Sequence, residues 1–208
     1  MKKIFSTIIN EKYFFLILSL YFITGLTIFS DYGISWDEVN ERYSGFVTLN
    51  EIYKKLNINI LEDYPGLSNY IYREYGVLFN LPLAFIENIA KIKDIKDVFL
   101  LRHFINFLIF FLGSAYFYFT LRIYYSKTIS IVGFLFLILS PRIFAEAFYN
   151  NKDIIFLSFY SISFYYFLQY FIDKKNSFIF FFSLFASMAI NVRVLGILIV
   201  FIFIFVLF

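Results

Sequence analysis

The sequence predicts an all-α, polytopic membrane protein, and two observations carry this prediction. First, 61% of the 208 residues are apolar and only 16% are charged, whereas a soluble domain is roughly half apolar and a quarter charged. Second, the apolar residues stand in long blocks rather than alternating with polar residues at a helical or strand period. Blocks of about 18 or more apolar residues are typical of helices that cross a bilayer.

Six apolar blocks are long enough, or nearly long enough, to be membrane spans. The first follows three lysines and lacks the small-residue cleavage site of a signal peptide, so we interpret it as a retained span. The third is short, and we expect it to be extended by residues 123–125 or strongly bent, with a new helix starting at Ser140 and Pro141. The six blocks are residues 13–30, 98–120, 128–140, 154–172, 177–190 and 194–208.

Residues 31–97 separate the first two blocks, and we predict that they form one long loop with helices lying along the membrane surface. Apolar side chains recur at spacings of three and four residues from 37 to 56, as in an amphipathic helix beside a membrane. The apolar island at 77–90 contains Pro82 and Glu87 and is short for a span. We therefore predict an interfacial or re-entrant segment there, with a complete crossing as the alternative.

Basic residues predict the orientation of the chain, because lysine and arginine are enriched in cytoplasmic loops. The first twelve residues carry three lysines, which places the N-terminus inside together with the short basic turns at 122–127 and 173–175. A crossing at 77–90 would invert everything after it. The chain ends within an apolar run, so we expect a single transmembrane domain that is part of a longer protein. The regions predicted to lie outside are 31–97, 141–153 and Arg193.

Several functional classes have no support in the sequence. A formal charge of +3 without a dense basic patch gives no case for nucleic-acid binding. The sequence has no cysteine, so disulfides, thiolate chemistry and cysteine metal sites are excluded. It also has no Walker loop, dinucleotide fingerprint or nucleophile elbow. Any chemistry must therefore come from the charged residues beside the apolar blocks.

Four carboxylates fall in the eleven residues 31–41, directly after the first block, and Asp37 and Glu38 are adjacent. Acids at the point where a span meets the membrane surface can bind a cation, hold an ammonium group or take a proton from a hydroxyl. A solvated, acid-rich start of a loop is the alternative interpretation.

A second group of polar residues lies between the third and fourth blocks. In a helix, Arg142, Glu146, Asn150 and Asp153 would share one face. Charges this close to a bilayer are functional candidates. The alternative is that Arg142 and Glu146 form a structural ion pair at the surface.

Three further polar residues occur inside or between the blocks. Arg193 stands alone between two of them, and it could be a topogenic charge or a guanidinium that faces a phosphate. His103, the only histidine, we interpret as a packed helix residue rather than a catalytic base. Arg102 beside it could pair with an acid or with an anion.

The order of these motifs resembles the N-terminal half of the GT-C membrane glycosyltransferases. A first span leads to the adjacent acids at 37–38. The stretch Tyr-Gly-Val-Leu-Phe-Asn-Leu-Pro-Leu at 75–83 and an arginine-bearing span start come next, and Ser-Pro-Arg at 140–142 and Asn-Lys-Asp at 151–153 follow. Within this superfamily, the pattern resembles the protein O-mannosyltransferases and the aminoarabinose transferases of lipid A.

The resemblance implies an integral enzyme of a bacterial plasma membrane that moves a sugar from a polyprenyl-phosphate carrier to an extracytoplasmic acceptor, with inversion at the anomeric carbon. Its partners would be the lipid-linked donor, the acceptor and membrane lipids. The family's first-loop acid corresponds to Asp37, which would act as the base, supported by Glu38 and Asp153. Asp37 and Glu38 would also hold a divalent cation, Mg²⁺ or Mn²⁺. The residues expected to hold the lipid phosphate are Arg142, Lys152, Arg193 and Arg102.

A transporter or flippase for a lipid-linked or anionic solute is the alternative function, and a non-catalytic membrane scaffold is the third. A transporter would place its charges near the middle of the membrane. The charges of this sequence cluster at the ends of the apolar blocks, which favours an enzyme acting at the membrane surface.

Overall fold

A computed structural model of the protein describes residues 11–58 and 64–207. Within these ranges the chain folds into nine α-helices and contains no strands. The helices are α1 (Lys12–Ile28), α2 (Trp36–Lys55), α3 (Asn80–Ala90), α4 (Ile95–Tyr124), α5 (Lys127–Leu139), α6 (Pro141–Tyr149), α7 (Asp153–Asp173), α8 (Asn176–Val192) and α9 (Ile197–Leu207). Short 3₁₀ turns lie at Phe29–Asp31, Leu67–Asn69 and Val194–Gly196.

The all-α membrane class is confirmed, whereas the predicted number of six spans is supported only in part. In the described ranges, α1 with its following turn, α4 and α7 are long and apolar enough to cross a membrane. α5 and α6 form a fourth candidate if they are taken together, although they are bent by 62°. α8 and α9 are apolar but shorter. Length and composition therefore support three spans, or four with the bent pair.

The bend between α5 and α6 has a simple cause. Ser140 is the N-cap of α6 and Pro141 its first residue. Since proline has no backbone N–H and clashes with the preceding turn, α5 cannot continue through it. The predicted helix start and bend are thus confirmed. The proposed extension by residues 123–125 is wrong, because Ile123 and Tyr124 belong to α4.

α4 is the central helix, with 30 residues and a length of roughly 45 Å at ~1.5 Å per residue. It packs against α1, α5, α6 and α7. Aromatic rings fill the contact with α1, where the centroids of Phe14 and Tyr118 are 3.6 Å apart. A Cβ atom at Gly113 would lie 2.6 Å from the Cα atom of Ser158, so this glycine permits the close approach of α4 and α7.

The first loop folds onto this core through α2 and α3. α2 begins and ends close to the predicted 37–56, and Phe46 and Leu49 of the predicted apolar face are buried. Glu38 and Glu41 are buried as well, whereas Val39 and Leu56 at the ends of the predicted apolar face are 56% and 62% exposed. The acids are buried because side chains from other elements bond to them, His103 to Glu38 and Lys152 to Glu41. A single-helix pattern cannot reveal these partners.

The apolar island at 77–90 becomes α3, whose eleven residues extend for only about 16 Å. It is not among the candidate spans of the described chain, as expected for an interfacial or re-entrant segment. The orientation in the membrane stays a prediction, and Lys2 and Lys3, on which it partly depends, lie outside the described residues.

Candidate active site

A polar cavity of about 210 Å³ lies where the first turns of α2 and α7 approach the end of α8. Asp37 lines it from α2, Lys152 and Asp153 from the start of α7, and Arg193 from the turn after α8. A second cavity of about 620 Å³ shares Asp37, Lys152 and Arg193. Four of the residues predicted for the site therefore come together although they are far apart in the chain.

The N-terminus of α2 holds Asp37 in place. The N-cap Ser35 and Glu38 form a capping box, in which the Ser35 backbone N–H donates to Glu38 Oε2 over 2.7 Å. Asp37 lies in the first turn of the helix, where the helix dipole favours its negative charge. Its side chain is exposed and makes no ion pair or hydrogen bond within residues 11–58 and 64–207. This carboxylate is free to meet a substrate.

Glu38 has different surroundings from its neighbour. It is 2% exposed, and its Oε1 atom lies 2.9 Å from His103 Nε2 on α4. Asp37 lines the cavity whereas Glu38 does not. The structure thus places Glu38 in the capping box and in contact with α4, whereas its predicted support of Asp37 in catalysis stays a prediction. His103 is 1% exposed, in agreement with its interpretation as a packed helix residue.

The predicted divalent cation does not fit the donor groups at Asp37 and Glu38. The two carboxylates have different surroundings, and one of them is already bonded to Ser35 and His103. Across the described ranges, no group of three or more histidine, aspartate or glutamate side chains could hold a metal ion. The cation stays a prediction without a binding site among these residues.

Asp153 and its surroundings form the second acidic part of the site. Asp153 Oδ1 lies 2.6 Å from Arg193 Nη2, in a pair whose side chains are about half exposed. The Asn150 side chain caps α7, because its Oδ1 atom accepts the backbone N–H of Asp153 over 2.8 Å. Asn150 Nδ2 also donates to Asp153 Oδ2 and to Glu146 Oε2, each over 3.2 Å. α6 ends at Tyr149, so the residues predicted to share one helix face do not all lie on one helix. Hydrogen bonds from the Asn150 side chain nevertheless link Glu146 to Asp153.

Arg142 does not join the cavity. Its Nε atom lies 2.8 Å from Glu146 Oε1, and its side chain is 85% exposed. Arg142 is absent from the lining of both cavities. The structure shows the i,i+4 ion pair that was the alternative interpretation, and the assignment of Arg142 to the lipid phosphate stays a prediction.

Lys152 is held on the side of the larger cavity. Its Nζ atom pairs with Glu41 of α2 and lies 4.5 Å from the centre of the Tyr75 ring. The segment that carries Tyr75 is fixed against the end of α8, since a Cβ atom at Gly76 would lie 1.4 Å from the backbone oxygen of Asn191. This contact tolerates only glycine and keeps the aromatic ring beside the lysine.

A buried ion-pair network lies behind the cavity, and sequence reasoning missed it. Glu87 Oε2 lies 2.8 Å from Arg42 Nε, and its Oε1 atom 2.9 Å from Arg102 Nε. Arg102 Nη1 also donates to Asn80 Oδ1, and Asn80 Nδ2 to Glu41 Oε2, both over 2.9 Å. The only sequence signal is that the polar residues at 80 and 87 are seven apart on one face of α3.

Arg102 lies within this network, and its predicted role at the lipid phosphate stays a prediction. It is 1% exposed and lines neither cavity. Of the two partners that the sequence left open, an acid or an anion, the structure gives it an acid, Glu87. Its guanidinium fastens the first loop to α4 and is not placed to meet a lipid phosphate.

The fold and site define a helical membrane protein with a cavity of mixed charge at the ends of its apolar helices. The family model of the dolichyl-phosphate-mannose-protein mannosyltransferases matches residues 83–208, more than half of the chain. The chain belongs to this family and is thus an integral membrane protein of the glycosyltransferase class. A comparison with curated proteins gave no match, nor did a comparison with solved structures.

Proposed function

We propose that the protein transfers a sugar from a polyprenyl-phosphate carrier to a hydroxyl of an extracytoplasmic acceptor, with inversion at the anomeric carbon. One observation carries the proposal: the Asp37 carboxylate, which has no ion pair or hydrogen bond among the described residues, shares a cavity with Lys152 and Arg193. An inverting transfer needs a base near the acceptor oxygen and positive charge near the leaving phosphate. Membership of the mannosyltransferase family supports the same reaction class.

In the proposed mechanism, Asp37 accepts the proton of the acceptor hydroxyl while that oxygen attacks the anomeric carbon. The bond between this carbon and the phosphate oxygen breaks, and polyprenyl phosphate leaves with the electron pair. Arg193 and Lys152 stabilise the charge that develops on the phosphate. No step requires a metal ion.

The two cations are paired with acids, so donor binding requires an exchange of partners. The Arg193–Asp153 pair is about half exposed, and exposed ion pairs contribute only about 0–1 kcal/mol. A guanidinium binds phosphate through stronger, charge-assisted hydrogen bonds that are frequently bidentate. A lipid phosphate can therefore replace Asp153 at Arg193. Lys152 is held more firmly, because its partner Glu41 is buried.

The test is the substitution Asp37→Asn in the full-length protein. The side chain keeps its size and loses its basicity, and general-base catalysis is typically worth about 10²–10⁴ in rate. We expect turnover to fall by this factor, measured as release of polyprenyl phosphate from polyprenyl-phosphate-mannose by membranes that contain the variant. The melting temperature should change little, since Asp37 makes no hydrogen bond or ion pair within the described ranges and its interaction with the helix dipole is worth only about 0.3–1 kcal/mol.

Asp173→Asn is the matched control. Asp173 is the last residue of α7 and pairs with Lys175. The 21 residues of α7 separate it from the cavity by roughly 30 Å, so its loss should leave turnover unchanged. Near-normal turnover of Asp37→Asn would exclude Asp37 as the base, and Asp153 would become the next candidate.

A further inference from the structure

The two asparagines that follow α6 differ completely in their hydrogen bonds. The side chain of Asn150 is fully used, since its oxygen accepts two backbone N–H groups and its Nδ2 atom donates to two carboxylates. Asn151 is only 5% exposed, yet its Nδ2 atom is enclosed and has no hydrogen-bond partner among the described residues. Buried amide groups are normally paired, because the lost hydration has to be replaced. Asn151 Nδ2 is thus a hydrogen-bond donor that has no acceptor among the described residues.

Asn151 lines the smaller cavity together with Trp36 and Tyr149. Trp36 is 90% exposed and is the only tryptophan of the sequence. An aromatic ring packs against the C–H face of a sugar, and an amide, which is donor and acceptor at once, matches a sugar hydroxyl. The volume of about 210 Å³ lies below the ~300–1,000 Å³ typical of pockets for drug-sized ligands, and suits one sugar ring.

The larger cavity has one wall of apolar side chains. Besides Asp37, Lys152 and Arg193, which it shares with the smaller one, it is lined by polar residues such as Glu74 and Asn191 and, on one side, by Val192, Val194 and Leu195. The two cations therefore stand between the aromatic and amide-lined space and the apolar wall of the larger cavity. A sugar linked to a lipid phosphate contains groups that match these three regions in the same order: apolar chain, phosphate and sugar.

We infer that the smaller cavity binds the transferred sugar of the donor, with Asn151 bonded to a ring hydroxyl and Trp36 packed against the ring. The inference rests on the proposed function and gives the donor a direction in the site. The phosphate lies at Lys152 and Arg193, and the first part of the lipid lies along the wall formed by Val192 and Leu195. Asn151 is then a residue that determines which sugar is accepted.

The test compares two lipids that differ only in the sugar, polyprenyl-phosphate-mannose and the same polyprenyl phosphate without mannose. Their dissociation constants are measured by calorimetry with the full-length protein in detergent and no acceptor. Asn151→Ala should weaken binding of the mannosyl lipid by about tenfold, the value of one hydrogen bond. Binding of the lipid phosphate should not change. Trp36 provides a second measurement: the change in tryptophan fluorescence on addition of the mannosyl lipid should be lost in Trp36→Phe, and the lipid without mannose should not cause it.

Asn150→Ala is the matched control. It removes four internal hydrogen bonds, two of them from backbone N–H groups at the start of α7, so it should lower the melting temperature. Asn151→Ala removes no hydrogen bond to any described residue and should leave the melting temperature unchanged. Should the Asn151→Ala variant lose stability, Asn151→Leu, which keeps the approximate size, loses the amide and adds no charge beside the phosphate, replaces it in the comparison.

Three outcomes would overturn the inference. Equal weakening of both lipids, or of neither, would show that Asn151 does not contact the sugar, and the proposed function would stand as long as the wild-type protein binds the mannosyl lipid. If the wild-type protein binds neither lipid, the proposed function fails together with the inference.

Discussion

Two clusters of acidic and basic side chains lie close together in this protein, and burial distinguishes their roles. In the buried network, the side chains of Glu87 and Arg102 are each 1% exposed, and they form an ion pair with one another and hydrogen bonds to neighbouring side chains. In the cavity, Asp153 and Arg193 are 50% and 42% exposed. Buried pairs cannot exchange partners without leaving a charge uncompensated, whereas exposed pairs can. The first cluster therefore fixes the loop, and the second is available to a substrate.

The two clusters are also connected. Glu41 bonds to Asn80 of the buried network and pairs with Lys152 at the cavity. Glu38 links the capping box beside Asp37 to His103 on α4. The buried cluster thus positions the base and one of the two cations without meeting a substrate, so damage to it should appear as lost stability.

The largest effect is expected for Glu87→Ala. This substitution leaves the guanidinium groups of Arg42 and Arg102 without their shared carboxylate, and removal of one partner of a buried ion pair costs about 3–5 kcal/mol. We expect the free energy of unfolding to fall by this amount, measured by denaturation of the full-length protein in detergent.

The matched control is Glu74→Ala. Glu74 also pairs with an arginine, Arg73, but its side chain is 83% exposed. We expect a loss below about 1 kcal/mol. Equal losses for both glutamates would contradict the distinction between the buried and the exposed cluster.

The sequence predicted the helices better than their contacts. Apolar blocks mark α1, α4 and α7 because a span leaves a local signal of length and composition. The partners of the charged residues leave no such signal, since Glu41 and Lys152 are more than a hundred positions apart in the chain.

Within the site, the family resemblance selected Asp37, Lys152, Asp153 and Arg193, which do meet at one cavity. The resemblance also selected Arg102, which is buried. A sequence alone cannot distinguish a buried arginine from one that faces a substrate. Only tertiary packing decides which of them is desolvated, and that packing depends on α3, whose position the sequence left open.

An intermediate effect is expected for Arg193→Ala. Loss of the exposed pair with Asp153 should change the free energy of unfolding by less than about 1 kcal/mol. Loss of a hydrogen-bonded charge at the donor phosphate, worth about 1.5–3 kcal/mol, should raise the apparent KM for the donor by roughly 10–100-fold. Arg193→Lys should recover part of this loss, because lysine keeps the charge but not the bidentate geometry. An unchanged KM in both variants would remove Arg193 from the phosphate site.

The smallest effect is expected for Arg142→Ala. This variant distinguishes most directly between the role that the structure gives Arg142 and the role predicted from the sequence. The sequence alone places Arg142 and Arg193 in the same role, whereas the structure pairs Arg142 with Glu146 at the surface and leaves it outside both cavities. An exposed i,i+4 pair is worth about 0.3–0.5 kcal/mol, and Glu146 keeps its bond to Asn150. We therefore expect a change of this size in unfolding free energy and no change in the KM for the donor, measured beside Arg193→Ala. A tenfold rise in KM would mean that Arg142 turns toward the phosphate when the donor binds, and the sequence-based assignment would then be the correct one.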